Sequence, residues 1–235
     1  MTLSVILPAY QEAENLKSIL PRIKKVVEDL NVEYEILVID TMNSMDETED
    51  ICKEYNILYF HRMYDNSYGS AIRTGIERSK GNYIVFMDAD GSHDPAEIKN
   101  MYDLIASNDA DLVIGSRYCK GGYTDNNFVL RFMSWILNVT YRLFFKLNVK
   151  DVSDSYRMYR GDQLRDLQLE CNNFDIVEEI LIKLNYTFDG IRIKEIPISF
   201  SKRAFGESKR DLVKFIFSYL TTMRKLLAIK RRMRQ

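Results

Sequence analysis

The sequence has few of the residues that mark disulfide-rich, zinc-binding or secreted proteins. Its three cysteines, Cys52, Cys119 and Cys171, are far apart and match no zinc-binding spacing. We therefore expect buried or idle thiols in a protein of a reducing compartment. No charged and then apolar leader precedes the first apolar run, at residues 3–7, so we expect a protein that is not secreted.

The sequence also lacks an excess of charge of either sign, and it lacks a linker. The formal net charge is −1, so the overall charge gives no reason to expect a nucleic-acid partner. No internal repeat or low-complexity segment separates domains. With 46% hydrophobic residues, the chain can bury the core of one catalytic domain, expected at 1–210, followed by a basic amphipathic helix at 211–235.

What the sequence does contain is an alternation of apolar strands and amphipathic helices. Five apolar runs of strand length begin near residues 3, 34, 56, 82 and 110, and helical patterns lie between them. This alternation predicts an α/β protein with a mostly parallel, doubly wound sheet and flanking helices. A further strand is expected at 191–200, and a final amphipathic helix at 211–229.

One apolar run, residues 82–87, ends in two acids, Asp88 and Asp90. Gly91 allows a sharp turn, so both carboxylates should lie at the carboxyl end of a core strand, where open α/β sheets bind ligands. Paired carboxylates there suit a hard divalent cation that also binds a diphosphate. An acidic turn that caps the next helix is the plainer interpretation, and it fits Asp94. It does not explain Asp88, because a carboxylate that ends a buried strand is costly unless it is paired or metal-bound.

Two segments in the second half of the chain carry positive charge. Residues 128–147 are apolar and aromatic, but Arg131, Arg142 and Lys146 recur at helical spacing, which predicts an amphipathic helix and not a membrane span. Residues 224–234 are strongly basic and favour an anionic neighbour. The final helix is therefore expected to close the core, to bind a membrane-anchored partner protein, or to lie on an anionic membrane surface.

Four motifs occur in the order that a known enzyme family shows. The motifs are Val5-Ile6-Leu7-Pro8-Ala9-Tyr10-Gln11-Glu12-Ala13-Glu14-Asn15-Leu16, Asp88-Ala89-Asp90, Gly115-Ser116-Arg117-Tyr118 and Arg203-Ala204-Phe205-Gly206-Glu207-Ser208-Lys209. Together they resemble the inverting glycosyltransferases of family 2, especially the dolichol-phosphate mannose synthases and their bacterial polyprenyl-phosphate relatives. The resemblance implies a glycosyltransferase A-type nucleotide-binding fold, a divalent metal, Mg²⁺ or Mn²⁺, and transfer of a sugar from a nucleoside diphosphate.

The resemblance also implies which residues hold the nucleotide of the donor. Pro8, Tyr10 and Glu12 stand where the family contacts the nucleotide, and Asp40 stands where it contacts the base or ribose. The segment after Asp40, residues 41–44, lacks the second acid that is usual in the family. The resemblance therefore leaves the identity of the base open.

By the same resemblance, Asp88 and Asp90 match the metal and diphosphate motif, with Asp90 as a direct ligand. Ser92 stands where the synthases have a glutamine, so it is expected as a weaker or water-mediated metal ligand. Ser155 stands in place of a glycine that is usual in the family.

The resemblance further implies a cluster of positive charge around the reacting phosphates. Arg117 and Arg131 are expected to position the acceptor phosphate, and Arg203 and Lys209 to bind the donor. Arg203 and Lys209 belong to a polar loop that is expected to order over the diphosphate. The sequence fits equally well a mobile charged loop that binds no diphosphate.

The expected function is metal-dependent transfer of a hexose, mannose or glucose, to a polyprenyl phosphate by an enzyme at the cytoplasmic face of the membrane. A lipid phosphate is already an anion and needs only cations to position it. A sugar hydroxyl acceptor, as in polysaccharide synthesis, would instead need a carboxylate base, and Asp154, Asp175 and Glu179 are the candidates. A non-catalytic nucleotide-sugar-binding subunit is the third alternative, suggested by Ser92 and the segment after Asp40.

Overall fold

A computed structural model describes residues 1–125, 128–201 and 212–233, without the side chains of 212–220. Helices alternate with strands along most of the chain. The strands are β1 (Leu3–Pro8), β2 (Tyr34–Asp40), β3 (Leu58–His61), β4 (Tyr83–Phe86), β5 (Leu112–Ser116), β6 (Tyr123–Thr124), β7 (Arg157–Arg160), β8 (Ile193–Pro197) and β9 (Ser199–Phe200). The helices are α1 (Ala13–Asp29), α2 (Thr48–Glu54), α3 (Tyr68–Arg78), α4 (Glu97–Ala106), α5 (Phe128–Phe145), α6 (Gly161–Arg165), α7 (Asp175–Thr187) and α8 (Leu212–Arg232).

Seven of the strands form one sheet, in the order β3-β2-β1-β4-β7-β5-β8. All neighbouring pairs in it are parallel except the two that involve β7, which runs antiparallel between β4 and β5. The predicted mostly parallel sheet with flanking helices is therefore confirmed. The two short strands β6 and β9 form a separate parallel pair.

Helices cover both faces of the sheet, because its central strands are apolar on both sides. In β1, Val5 and Leu7 pack in one hydrophobic cluster with side chains of α1 and α4, whereas Ile6 packs in the other with side chains of α3, α5 and α7. This alternation follows from the two-residue period of a strand. The layers leave the carboxyl ends of β1 and β4 side by side at one edge of the sheet.

The C-terminal helix α8 packs on the fold through part of its length. Met223, Leu226 and Ile229 are buried in the cluster that contains residues of α5 and α7. Arg232 of the same helix forms an ion pair with Glu170, with 2.9 Å between Nη2 and Oε2. In the described part of the chain, none of the helices combines the length and apolar composition that crossing a bilayer requires. The boundary expected between residues 210 and 211 stays a prediction.

Candidate active site

A cavity of about 210 Å³ opens at the carboxyl ends of β1 and β4. The sheet brings these two ends together because β1 and β4 are parallel neighbours. Five of the site residues expected from the sequence line this cavity, together with residues from the starts of α3 and α7. The lining residues are Pro8, Ala9, Tyr10, Glu12, Arg62, Tyr68, Asp88, Ala89, Asp90 and Phe174.

The loop after β1 forms one side of the cavity. Tyr10 is 53% exposed, so its ring is available to a ligand. Gln11 has a positive φ of 56°, an uncommon conformation for a residue with a side chain, which turns the backbone sharply before α1. The Glu12 carboxylate accepts a hydrogen bond from the Asn15 amide at 2.5 Å. The loop is thus fixed by local contacts and presents Tyr10 at the cavity mouth.

The turn after β4 contributes two carboxylates, Asp88 and Asp90, to the lining of the cavity. Gly91 has a φ of 77°, which a residue with a side chain rarely adopts. This conformation lets Asp90 Oδ1 accept a hydrogen bond from the Ser92 backbone N–H at 3.0 Å. Asp88 Oδ1 accepts a hydrogen bond from the Ser155 hydroxyl at 2.9 Å. Ser155, which by the resemblance stands in place of a glycine, therefore contacts the carboxylate of Asp88 just after β4.

The chemistry of this turn fits a divalent cation. Burial raises the pKa of the Asp88 carboxyl, and the charges of Asp90 and Asp154 act in the same direction, against the opposing effect of His93. A cation would relieve this repulsion. The Ser92 hydroxyl oxygen is buried and has no hydrogen-bond partner among the described residues. Two carboxylates and one orphaned oxygen suit Mg²⁺ or Mn²⁺, whose other positions take water and phosphate oxygens.

A buried polar network connects this turn to the end of β5. The Asp88 backbone N–H donates to His93 Nδ1 at 3.2 Å, and His93 Nε2 lies 3.3 Å from Asp154 Oδ1. The other carboxylate oxygen of Asp154 lies 3.2 Å from Nε of Arg117. Burial alone would lower the pKa of His93, but the charge and hydrogen bond of Asp154 more than offset it and raise that pKa. His93 therefore links the turn after β4 to Asp154.

Arg117 is held by carboxylates and does not line the cavity. Its guanidinium forms two hydrogen bonds of 2.8 Å to the two oxygens of Asp151, and a third of 3.0 Å to Ser153. Only 9% of its side chain is exposed, and Asp151 is fully buried. Burial opposes the charged form, yet the negative charges of Asp151 and Asp154 raise the pKa of Arg117. The expected role of Arg117 at the acceptor phosphate stays a prediction.

The other cations that the sequence suggests fall into two groups. Arg131 is exposed on α5. The hydrogen bond to Asp125 raises the pKa of the Tyr123 phenol, and the positive charge of Arg131 is close enough to act on it in the opposite direction. Arg203 and Lys209 lie outside the described residues. The structure thus places Arg131 on an accessible surface.

Asp40 is buried at the end of β2 and does not line the cavity. Its Oδ1 accepts the Thr41 backbone N–H at 2.7 Å, and its Oδ2 accepts the Tyr59 hydroxyl at 3.0 Å. Both oxygens are therefore engaged within the protein, and the expected contact to the base or ribose stays a prediction.

Arg62 lines the cavity and was missed in the sequence, although it directly follows β3. Its Nη2 donates to the Ala9 carbonyl at 2.6 Å, which ties the loop after β1 to the loop after β3. Its Nε is buried and has no partner among the described residues, and burial lowers the pKa of its guanidinium. Its position at the carboxyl end of a parallel strand is the sequence signal that could have identified it.

Two aromatic side chains form the remaining wall of the cavity. The rings of Tyr68 and Phe174 are stacked, with 4.2 Å between centroids and 20° between planes. Gly69 is required beside them, because a Cβ there would lie 2.4 Å from the Cys171 carbonyl oxygen. Phe174 carries no sequence signal, because only tertiary packing brings the start of α7 to this edge.

The three carboxylates considered as bases for a hydroxyl acceptor have different surroundings. Asp154 is buried between Arg117 and His93. Glu179 is fully buried; it lies 2.9 Å from Lys183 and accepts backbone N–H groups of the 170–171 segment. Asp175 is half-buried at the start of α7. Asp154 and Glu179 therefore act as buried ion-pair partners of basic side chains.

Comparison with known sequences identifies the family. Residues 4–167 match the profile described as Glycosyl transferase family 2. A Dolichol-phosphate mannosyltransferase of Pyrococcus furiosus is 33% identical over 234 residues, which are 97% of this chain and 64% of that protein. An Undecaprenyl-phosphate mannosyltransferase of Micrococcus luteus is 35% identical over 225 residues, 89% of this chain and 87% of that protein. The resemblance noted in the sequence is confirmed.

Comparison with solved structures supports the fold. Glucosyl-3-phosphoglycerate synthase from Mycobacterium tuberculosis, in complex with Mn²⁺, UDP and glucosyl-3-phosphoglycerate, has a TM-score of 0.73 at 19% identity, covering 97% of this chain and 79% of that one. Its complex with Mg²⁺ and UDP has a TM-score of 0.75 at 18% identity, covering 97% of this chain and 79% of that one. The glycosyltransferase A-type fold expected from the resemblance is confirmed. From its match over residues 4–167 and from relatives above 30% identity, the chain belongs to glycosyl transferase family 2.

Proposed function

We propose that this protein transfers a hexose, mannose or glucose, from a nucleoside-diphosphate sugar to a polyprenyl phosphate in a metal-dependent, inverting reaction. The observation that carries the proposal is the shared cavity of Tyr10, Asp88 and Asp90. It places an exposed ring suited to a nucleoside beside paired carboxylates suited to a cation and a diphosphate. The names of the Pyrococcus and Micrococcus relatives support a mannosyl donor and a polyprenyl phosphate acceptor.

In this reaction the acceptor phosphate oxygen forms a bond to the anomeric carbon as the bond to the donor diphosphate breaks. Asp88 and Asp90 would hold Mg²⁺ or Mn²⁺, with Ser92 as a further oxygen ligand. The cation would supply Lewis-acid stabilisation of the negative charge that grows on the leaving diphosphate. Ser155 orients Asp88 through its 2.9 Å hydrogen bond, and the Ser92 backbone N–H orients Asp90 at 3.0 Å.

The surroundings of the acidic residues favour a phosphate acceptor over a hydroxyl acceptor. A lipid phosphate is already ionised near neutral pH and needs no base. Asp154 and Glu179 are committed to Arg117 and Lys183, so neither is free to take a proton from a sugar hydroxyl. The third candidate, Asp175, does not line the cavity. The exposure of Arg131 supports its proposed contact to an acceptor that arrives from outside the cavity.

Replacing Arg131 by alanine is expected to raise the KM for polyprenyl phosphate about tenfold or more, because a charge-assisted contact to phosphate is lost. Binding of the nucleotide sugar in the presence of Mn²⁺ should stay within about twofold of wild type, because the substitution removes a contact to the acceptor and none to the donor. The measurement is a transfer assay with radiolabelled nucleotide sugars and varied polyprenyl phosphate. Arg142→Ala is the matched control, since Arg142 is exposed on the same helix. Transfer to a sugar hydroxyl but not to polyprenyl phosphate would contradict the proposal.

An apolar face on α5 supports action at a membrane surface, which we place on the cytoplasmic side. The face is made of side chains that are all more than 40% exposed, and three of its rings are stacked in a row. Exposed apolar patches of this kind mark interaction surfaces, and aromatic rings favour the bilayer interface. The side chains are Phe128, Phe132, Trp135, Ile136 and Leu143.

The double substitution Phe132→Ser and Trp135→Ser is expected to weaken binding to vesicles of anionic lipid by about tenfold or more, because two large apolar side chains no longer leave water. Co-sedimentation with vesicles containing phosphatidylglycerol measures the effect. Leu58→Ser, an exposed apolar residue on the distant strand β3, is the control and should bind as wild type does. Equal sedimentation of all three proteins would show that this face does not contact the bilayer.

A further inference from the structure

Phe174 combines high exposure with a place in the wall of the cavity. Its side chain is 60% exposed, although it lies among residues that surround two carboxylates. One face of its ring is covered by Tyr68, at 4.2 Å between centroids. Leaving an aromatic ring exposed forgoes stabilisation by burial. An exposed ring in a cavity is therefore available to stack on a ligand.

Tyr68 places this ring pair at the metal end of the cavity. Its hydroxyl is buried and has no hydrogen-bond partner among the described residues. Asp88 lies close enough to act on the phenol electrostatically, and Ser155 lies beside both. A buried hydroxyl without a partner is destabilising, so a partner supplied by a ligand would recover that loss.

The two rings are held in place by contacts outside the cavity. The Gly69 backbone N–H donates to the Asn172 carbonyl at 2.7 Å, which joins the start of α3 to the segment before α7. Arg73 donates to the Cys171 carbonyl at 2.6 Å and to Asn172 Oδ1 at 3.0 Å. Glu179 accepts the Cys171 backbone N–H at 2.8 Å. The pair is therefore preorganised, which lowers the entropy cost of binding.

We propose that Phe174 and Tyr68 form the subsite for the hexose of the donor. The free face of the Phe174 ring stacks on the apolar C–H face of the pyranose, and the Tyr68 hydroxyl hydrogen-bonds one of the sugar hydroxyls. The inference rests on the proposed function, because it takes the diphosphate to lie at Asp88 and Asp90. The sugar is joined to that diphosphate, so it lies at the same end of the cavity as Tyr68.

A hexose fits this wall better than the other parts of the two substrates do. A prenyl chain would cover Phe174 but would leave the Tyr68 hydroxyl without a partner. A nucleobase could stack on either ring, but Tyr10, on the loop after β1, is the exposed ring that the family resemblance assigns to the nucleotide. Of the hexose, the prenyl chain and the nucleobase, only the hexose offers an apolar C–H face and hydroxyl groups together.

The test compares the affinity of a nucleotide sugar with that of its nucleoside diphosphate, by calorimetry with Mn²⁺. GDP-mannose and UDP-glucose are the sugar probes, and GDP and UDP are their counterparts. Phe174→Ala should weaken the sugar nucleotide that the protein binds by about 3- to 10-fold, the strength of an aromatic stack, and leave its nucleoside diphosphate within about twofold. Phe174→Trp should retain the affinity, whereas Tyr68→Phe should lower it for the sugar nucleotide alone.

Phe144→Ala is the matched control, because Phe144 is 52% exposed on α5. Its affinities should equal those of wild type. Equal losses for sugar nucleotide and nucleoside diphosphate would assign Phe174 to the nucleoside and overturn the proposal, as would a change only in the KM for polyprenyl phosphate. Unchanged affinities in Phe174→Ala, with normal transfer by wild type, would reject the subsite alone. A wild-type protein that binds no nucleotide sugar would reject the proposed function and the subsite with it.

Discussion

Replacing Asp90 by asparagine is expected to lower the rate of hexose transfer by roughly a thousandfold, while the fold stays intact. The substitution removes a negative charge from the turn after β4, where Asp88 and Asp90 would hold the cation. Asparagine keeps an oxygen that can accept the Ser92 backbone N–H, now at 3.0 Å from Asp90 Oδ1. It also relieves the repulsion between the two carboxylates. Activity should therefore fall without a loss of thermal stability.

Transfer assays over a range of Mn²⁺ concentrations, combined with thermal unfolding, measure both effects. Asp94→Asn is the matched control, because this substitution makes the same chemical change a few residues further along the same loop. The Asp94 carboxylate is exposed and pairs with Arg22 at 2.9 Å. Loss of this surface ion pair should change the transfer rate by less than about twofold. An Asp90→Asn protein that transfers at the wild-type rate at saturating Mn²⁺ would remove Asp90 from the site.

The position of the site could be predicted from the sequence because it depends on local patterns. An apolar run that ends in Asp88 and Asp90 predicts a strand end, and alternating helices predict parallel neighbours. Parallel neighbours have their carboxyl ends at the same edge, which brings Pro8 and Tyr10 to these acids. The same argument would have found Arg62, which directly follows β3.

The strand β7 could not be predicted in this way. It is only four residues long, and two of them, Arg157 and Arg160, are charged. Nothing in the local pattern indicates that Arg157 is fully buried in the middle of the sheet. Its guanidinium is accommodated because it donates to the carbonyls of Asp154, Val177 and Val152, at 2.8, 3.0 and 2.6 Å. Val152 and Asp154 belong to the segment just before β7, whereas Val177 belongs to α7, and only the folded chain brings the three carbonyls together.

Acidic residues show the same limit. Asp154 and Glu179 are reasonable bases when only their residue type is known, but their partners decide their role. Asp154 lies between Arg117 and His93, and Glu179 pairs with Lys183. A carboxylate paired inside the protein stabilises the charge of its partner and is poorly suited to accept a proton. The pairing of Asp154 follows from tertiary contacts over long sequence separations, which a single sequence does not reveal. Glu179 and Lys183 lie one turn apart on α7, so their pairing could have been read from the helical spacing.

Replacing Arg117 by alanine is expected to destabilise the protein by about 3–5 kcal/mol, because it leaves the buried carboxylates of Asp151 and Asp154 without their cation. Asp151 is fully buried and receives two hydrogen bonds of 2.8 Å from this guanidinium. Urea unfolding at neutral pH measures the loss. Arg192→Ala is the control: Arg192 also binds a carboxylate, that of Asp111, but its side chain is 44% exposed. Its substitution should cost less than about 1 kcal/mol.

A second substitution separates the loss of charge pairing from the loss of packing. Asp151→Asn combined with Arg117→Ala should be more stable than Arg117→Ala alone, because an amide without a partner is less costly to bury than a carboxylate. If the double variant is no more stable, the unpaired charge is not the cause.

The rescued variant also tests the role of Arg117 at the acceptor phosphate. Below its unfolding temperature it should bind the nucleotide sugar with Mn²⁺ as wild type does, yet transfer to polyprenyl phosphate poorly, because the cation expected to position the lipid phosphate is absent.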